Sequence, residues 1–279
     1  MSTEKFIPQV WSAKTLDVLE NALVYSKLFN TDYEGEITDA GDTVHIAQIG
    51  VPTIKDYTRG SAIDSAEDVS VTDQTLTIDQ AKYFNIAVDD VDAVQSKVSL
   101  LDTATQRAAY GFADECDGYL ADLLAASAGI KIGTADNPVA VTAANAYETL
   151  VTIKTRLDMA NLPKQGRVVI VPPEFEGFML LDSRFVNVTN QSEQRLTEGT
   201  VYKAAGFEVA VSNNCPAPKT DVLQVVASSP IQGTFAQQIL KTEAYRPEGG
   251  FSDAVKGLHV YGAKVLHPKA VCCATVSFN

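Results

Sequence analysis

No stretch of the 279 residues approaches the ~18 uninterrupted apolar positions that a membrane-spanning helix needs, because Asp122 breaks the best candidate. The opening MSTEKFIPQVW lacks the apolar core of a secretory signal, so the chain is expected to fold in the cytosol where it is made. Cysteines are few. Cys116 falls in a predicted helix, Cys215 precedes a proline, and Cys272 and Cys273 are neighbours in a predicted strand. Adjacent strand residues point to opposite faces, so that pair cannot easily bridge, and buried free thiols are expected. Histidine is scarcer still: His45, His259 and His267 read as exposed or satisfied strand residues. His267 lies too close to Cys272 and Cys273 for a zinc framework, and no second ligand pair exists. Basic residues number 22 against 35 acidic ones, a net charge of −13, and they are scattered singly. Direct nucleic-acid binding, which rests on basic patches, is therefore disfavoured, although a wall that merely encloses nucleic acid could be acidic. No G-x-S-x-G, H-E-x-x-H, Walker-type or dinucleotide motif occurs. The sequence offers no catalytic residue, no cofactor site and no metal site.

What is present is unevenly placed. Residues 31–80 hold eleven acids opposed only by Lys55 and Arg59, so this segment carries −9 of the total −13. Within it, 43–49 alternates around Val44 and Ile46, and 74–78 around Leu76 and Ile78, as strands do. Between them Gly50, Pro52, Gly60 and many Ser, Thr and Asp residues supply turn chemistry and few core formers. The pattern predicts a long hairpin or extended loop. Such a hairpin is marginal alone, so it should lie on another surface. Ahead of it, 12–29 reads as a helix capped by Ser12, with Leu16, Leu19 and Leu23 at helical spacing behind Trp11. That stripe fits either a first core helix or an arm that docks elsewhere.

A strand at 83–88 ends in Asp89, Asp90 and Asp92. Turn formation and helix-dipole complementarity explain these acids more simply than a carboxylate site does. Leu101, Thr105, Ala108, Phe112, Cys116, Tyr119 and Leu123 then recur at helical spacing, and Gly129 is a stop signal. One amphipathic helix of roughly 28 residues, ~42 Å long, is predicted. Gly111 and Gly118 each weaken it by ~1 kcal/mol and share a face, so another backbone is expected to approach there. After a turn-rich stretch come helices at 144–162 and 174–181. Strands are predicted at 167–171, 202–212, 222–227, 234–240, 257–266 and 270–276. No internal repeat or low-complexity tract interrupts them. Interspersed helices and largely antiparallel strands make the class α+β.

Several stretches, in order, resemble one family. They are IPQVWSAKTLDVLENALVYSKLFNTDYEGEI, GDTVHIAQIGVPTIKDY, TLTIDQAKYFNIAVDDVD, VPPEFEGFMLLDSRFVN, AAGFEVAVSNNCP and KTEAYRPEGGFSDAVKGLHVYGAKVLHPKAV. Together they resemble the major capsid proteins of tailed bacteriophages with the Hong Kong 97-type fold, in particular the short-tailed-phage coat protein branch. The likeness covers nearly the whole chain, and the ordered set carries it more than any single motif. It implies an N-terminal arm (1–30), an extended β-hairpin loop (31–80), a peripheral domain with a long spine helix (81–128 and 245–279) and an axial domain (129–244). It also implies self-assembly into pentamers and hexamers of an icosahedral shell, located in the virion and assembled in the host cytoplasm.

The expected partners are other copies of the chain, a separate scaffolding protein and a portal, with enclosed DNA that is not read by sequence. No long helical extension precedes the arm and no large insertion interrupts the axial domain, so scaffolding is expected from a separate protein or a removed element. On this reading Lys55 and Arg59 pair with a neighbour's carboxylates. Trp11, Leu16, Leu19 and Leu23 dock on an adjacent subunit or on the spine helix. The plainer readings are solvated cations and a stripe in the subunit's own core. Three further functions fit less well: a nanocompartment shell of the same fold, a minor decoration protein of the virion, and a small α+β enzyme with an acidic cleft.

Overall fold

A computed structural model describes residues 23–31, 43–50, 52–57, 59–60, 65–68, 71–89, 100–182, 203–248 and 252–278. Trp11, Leu16, Leu19, Asp90 and Asp92 lie outside them, as does most of the expected arm helix.

Two larger sheets, a two-stranded hairpin and one long helix organise the described chain. The first sheet has three antiparallel strands in the order β10–β11–β3, with β3 at Gln80–Asp89, β10 at Gly233–Tyr245 and β11 at Ser252–Val265. Helix α1, Leu100–Ser127, runs across one face of it. The helix has the expected 28 residues. Its buried stripe is Ala109, Phe112, Ala113, Cys116, Leu120, Ala121 and Leu124, a helical periodicity dense in small side chains. Tyr119 and Leu123, expected at its centre, flank it half-buried. A methyl group added at Gly111 or Gly118 would meet nothing within 4 Å, so the backbone expected to approach there is not part of the described subunit.

The second sheet is larger. Its strands are β4 (Ile130–Ile132), β5 (Val139–Val141), β6 (Val168–Val171), β7 (Lys203–Ala204), β8 (Phe207–Val211), β9 (Val222–Ser228) and β12 (Val271–Phe278). Their order is β4–β12–β9–β6–β8–β7, with β5 also on β12. The pairings of β4 and β5 with β12, and of β6 with β8, are parallel. Helices α2 (Ala146–Met159) and α3 (Pro173–Leu181) cover one face, burying Leu150, Ile153, Leu157, Phe175 and Met179 against Val169, Val171 and Val225. Ile170, Val226 and Val271 point the other way, into the core shared with α1. A strand buried on both faces has no polar side to show, which is why β6 reads Val-Val-Ile-Val. Cys272 joins the first of these cores and Cys273 the second, as expected of adjacent strand residues, and all four thiols are free and buried.

Three sequence expectations change here. The turn-rich stretch after α1 contains β4 and β5. The closing strand 271–278, expected beside the peripheral strands, is held in the seven-stranded sheet because both of its edges find partners there. The end of the expected 12–29 helix is a single 3-10 turn at Tyr25–Leu28. The backbone N–H groups of Val24 and Tyr25, which a longer helix would give to carbonyls a turn earlier, donate instead to Asp117 Oδ1 of α1 at 2.9 and 2.8 Å.

The hairpin predicted in the acidic segment is present as β1 (Thr43–Ile49) and β2 (Val71–Thr77), paired antiparallel from Thr43↔Thr77 to Ile49↔Val71. Its base is not bare. Val44, Ile46, Leu76 and Ile78 are buried against Ala236 and Val260, on the face of the three-stranded sheet turned away from α1. Gly262 permits this crossing, since a Cβ there would stand 2.4 Å from the Thr77 carbonyl oxygen.

Candidate functional site

Beyond its buried base the hairpin opens into an exposed loop. Ile54 is 94% and Tyr57 73% exposed, and Lys55 and Arg59 stand beside them in solvent. Glu67 closes the two legs, accepting hydrogen bonds from the Thr53 backbone N–H and hydroxyl, both at 3.1 Å. The loop is thus a clipped, solvent-facing tip on an anchored stem. Sequence reasoning singled out its two cations and missed its two large apolar residues. The signal was there: Ile54 and Tyr57 interrupt a turn-rich stretch without following a strand period.

Leu23, expected with Trp11, Leu16 and Leu19 in a docking stripe, is 1% exposed and packs with Tyr25, Leu28 and Phe29 in the core beneath α1. Two further ties hold this segment. Gln232 Nε2 donates to the Leu28 carbonyl at 2.8 Å, and Asn30 bridges to Thr234 at the start of β10. Asp117, the acid that receives Val24 and Tyr25, is 3% exposed, and burial raises its pKa. It was legible as the one charged residue inside an otherwise apolar helical stripe.

The interior groups are built for packing. Burial pushes the Cys273 and Cys215 thiols up to about 11 and Cys272 to about 12, so they stay protonated and unreactive. His259, expected to be exposed or satisfied, is fully buried between Phe112 and Tyr261, with ring centroids 5.5 and 4.9 Å away. Neither ring nitrogen has a hydrogen-bond partner, and burial lowers its pKa to about 4, so it is neutral. Arg167, 3% exposed, donates to Asp158 at 2.7 Å and to the carbonyls of Pro163 and Leu162. Hydrogen bonds from Lys154 and then Arg167 hold the Asp158 carboxyl down at about 2. This network ties the end of α2 to β6, a structural role. Among the described residues no group of three or more His, Cys, Asp or Glu side chains could hold a metal ion, and no helix is long and apolar enough to cross a membrane.

A long helix on a three-stranded sheet, a second sheet packed on both faces, and a clipped hairpin carried outward define a class: a shell-forming subunit of the Hong Kong 97-type fold. Comparison with known proteins agrees. The family model for phage capsid protein matches residues 70–274. In structure the chain is similar to one from Mycobacterium phage Che8, at 33% identity and TM-score 0.75, covering 92% of this chain and 91% of that one. It shares its fold with the capsid of cyanophage P-SCSP1u, at 15% identity and TM-score 0.74, over 92% of this chain and 88% of that one. A virus-like particle from Pyrococcus furiosus shares the fold at 14% identity and TM-score 0.59, over 96% and 99%. No curated protein matches the sequence. The chain belongs to the phage capsid protein family, and its place is in the shell of the virion.

Proposed function

We propose that the chain assembles into pentamers and hexamers that close into an icosahedral shell around phage DNA, with the clipped loop reaching onto the neighbouring subunit. The observation that carries this reading is the contrast along the hairpin, whose base is buried on its own sheet while Ile54 and Tyr57 stand in solvent. A monomer gains nothing from that exposure, whereas a ring of heterologous contacts would cover it. Lys55 and Arg59 then meet carboxylates of the neighbour. Each exposed pair contributes only ~0–1 kcal/mol, but a shell repeats it at every subunit.

In this proposal 31–80 is the interlocking loop, and the three-stranded sheet with α1 forms the peripheral domain. The seven-stranded sheet forms the axial domain, with 271–278 assigned to it. Trp11, Leu16 and Leu19 belong to an arm that begins before Leu23. A separate scaffolding protein and a portal assist assembly in the host cytoplasm, and the enclosed DNA is held without sequence readout. The test is expression with and without the phage's scaffolding partner, followed by negative-stain electron microscopy. Closed shells are expected, and a stable monomer under every condition would overturn the reading. Removing residues 1–22 should leave a folded subunit that assembles poorly; normal shells from that truncation would remove the arm from the scheme.

A further inference from the structure

Helix α1 has one acidic face that the subunit leaves open. Glu115, Gly118 and Asp122 follow one another at spacings of three and four, so they share that face, and both acids are exposed. With β3 and the turn at 214–217 they line a groove of ≈ 630 Å³. Asp114 joins the rim, so three carboxylates among the lining residues face the single ammonium of Lys82. Two of these acids are held in place: Lys82 Nζ donates to Glu115 at 3.1 Å, and the Asn214 amide to Asp114 at 2.8 Å.

Between its acids the groove is apolar. Gly118 presents bare backbone, and a Cβ there would meet nothing within 4 Å. The rings of Tyr119 and Tyr261, with centroids 5.5 Å apart, supply aromatic wall, and Pro216 and Ala217 supply aliphatic wall. Tyr261 adds an observation that is independent of the charge. It is 1% exposed, and its hydroxyl has no hydrogen-bond partner. An unmatched buried hydroxyl is costly, and an N–H brought into the groove would give its oxygen a donor.

These features select a ligand by chemistry. Glu115 and Asp122 stand ~10 Å apart along the helix axis, too far to share one metal ion. A flexible chain with a cation at each end and an apolar stem between them matches the order acid, glycine, acid. We propose that the groove binds a linear aliphatic polyamine. Its end ammonium groups meet Glu115 and Asp122, its methylenes cross Gly118, and one N–H is donated to the Tyr261 hydroxyl. Ammonium groups beside the tyrosine faces gain cation–π attraction as well. The site lies within one subunit, so it does not rest on the assembly scheme above.

The test is calorimetric titration of the unassembled full chain with spermidine at fixed ionic strength. Saturable binding at one site per chain is expected. Glu115→Gln with Asp122→Asn, and separately Gly118→Leu, which fills the bare strip, should each weaken it about tenfold. Tyr261→Phe removes no charge and should weaken it about fivefold. Asp56→Asn with Asp68→Asn removes the same charge from exposed acids of the hairpin and should leave affinity unchanged. Circular dichroism checks that each variant folds. If Tyr261→Phe does not, Gly118→Leu carries the test, because its side chain enters open space. Absence of saturable binding, equal competition by magnesium, or groove variants that bind like the wild type would each overturn the site. Trilysine bound more tightly than spermidine would overturn the polyamine and assign the groove to a protein segment.

Discussion

The seven-stranded sheet and the β1–β2 hairpin are both made of short strands, yet they end in opposite states. In the larger sheet α2 and α3 close one face and α1 the other, and Leu150, Ile170 and Val225 are wholly buried. In the hairpin one side of the base reaches the three-stranded sheet, and the described residues between 52 and 68 are all exposed. The difference separates what a subunit finishes alone from what it leaves for assembly. A folded monomer needs the first region. The shell needs the second.

Substitutions should divide along that line. Leu150→Ala opens a cavity in the finished region, and a loss of about 2–5 kcal/mol is expected in urea unfolding; a loss below 1 kcal/mol would mean that α2 is not integral to the core. Acid should act next. His259 is neutral with a folded pKa of about 4 against an ordinary 6.5. Above the ordinary value neither folded nor unfolded chain is protonated and nothing is lost. As pH falls towards 4 the unfolded chain takes the proton first, so stability drops by up to roughly 3 kcal/mol. His259→Phe should flatten that part of the curve, and an unchanged acid slope in the variant would assign it to other groups.

Asp117→Ala orphans the part-buried amide of Val24 and the buried amide of Tyr25, and about 1–3 kcal/mol should be lost. Hydrogen exchange should show lost protection at these amides while β6 keeps its own. Global loosening instead would show that the clamp and the large sheet are one unit. The smallest effect on the fold belongs to the loop tip. Ile54→Ser with Tyr57→Ser should change subunit stability by less than ~0.5 kcal/mol while lowering shell yield. A large fall in stability would place those side chains in the subunit's own core.

Local pattern decided what could be read in advance. Helix α1 was legible almost to the residue because its apolar spacing persists from Leu101 to Leu123, about six turns, and the hairpin because Val44–Ile46 and Leu76–Ile78 alternate. β4 and β5 were missed because each is three residues long and its partner, β12, lies well over a hundred residues away. Nothing local marks such a pairing. The turn at Tyr25–Leu28 was taken for helix because Leu16, Leu19 and Leu23 keep helical spacing, and the competing acceptor, Asp117, is on another element. For His259 both faces of Gly-Leu-His-Val-Tyr-Gly are apolar, so alternation could not say which side the ring takes. At the candidate site the lone cations Lys55 and Arg59 stood out against the acids around them.

The hydrogen bond from Gln232 to the Leu28 carbonyl joins positions 204 residues apart. During synthesis at ~5–20 residues per second, residues 23–30 would wait on the order of 10–40 s before the start of β10 leaves the ribosome. Until then Phe29 lacks Phe235 and the Leu28 carbonyl lacks its donor. The same tie that finishes the core therefore acts as a clock, leaving the segment at 23–30 held only in part until most of its own chain exists to complete it.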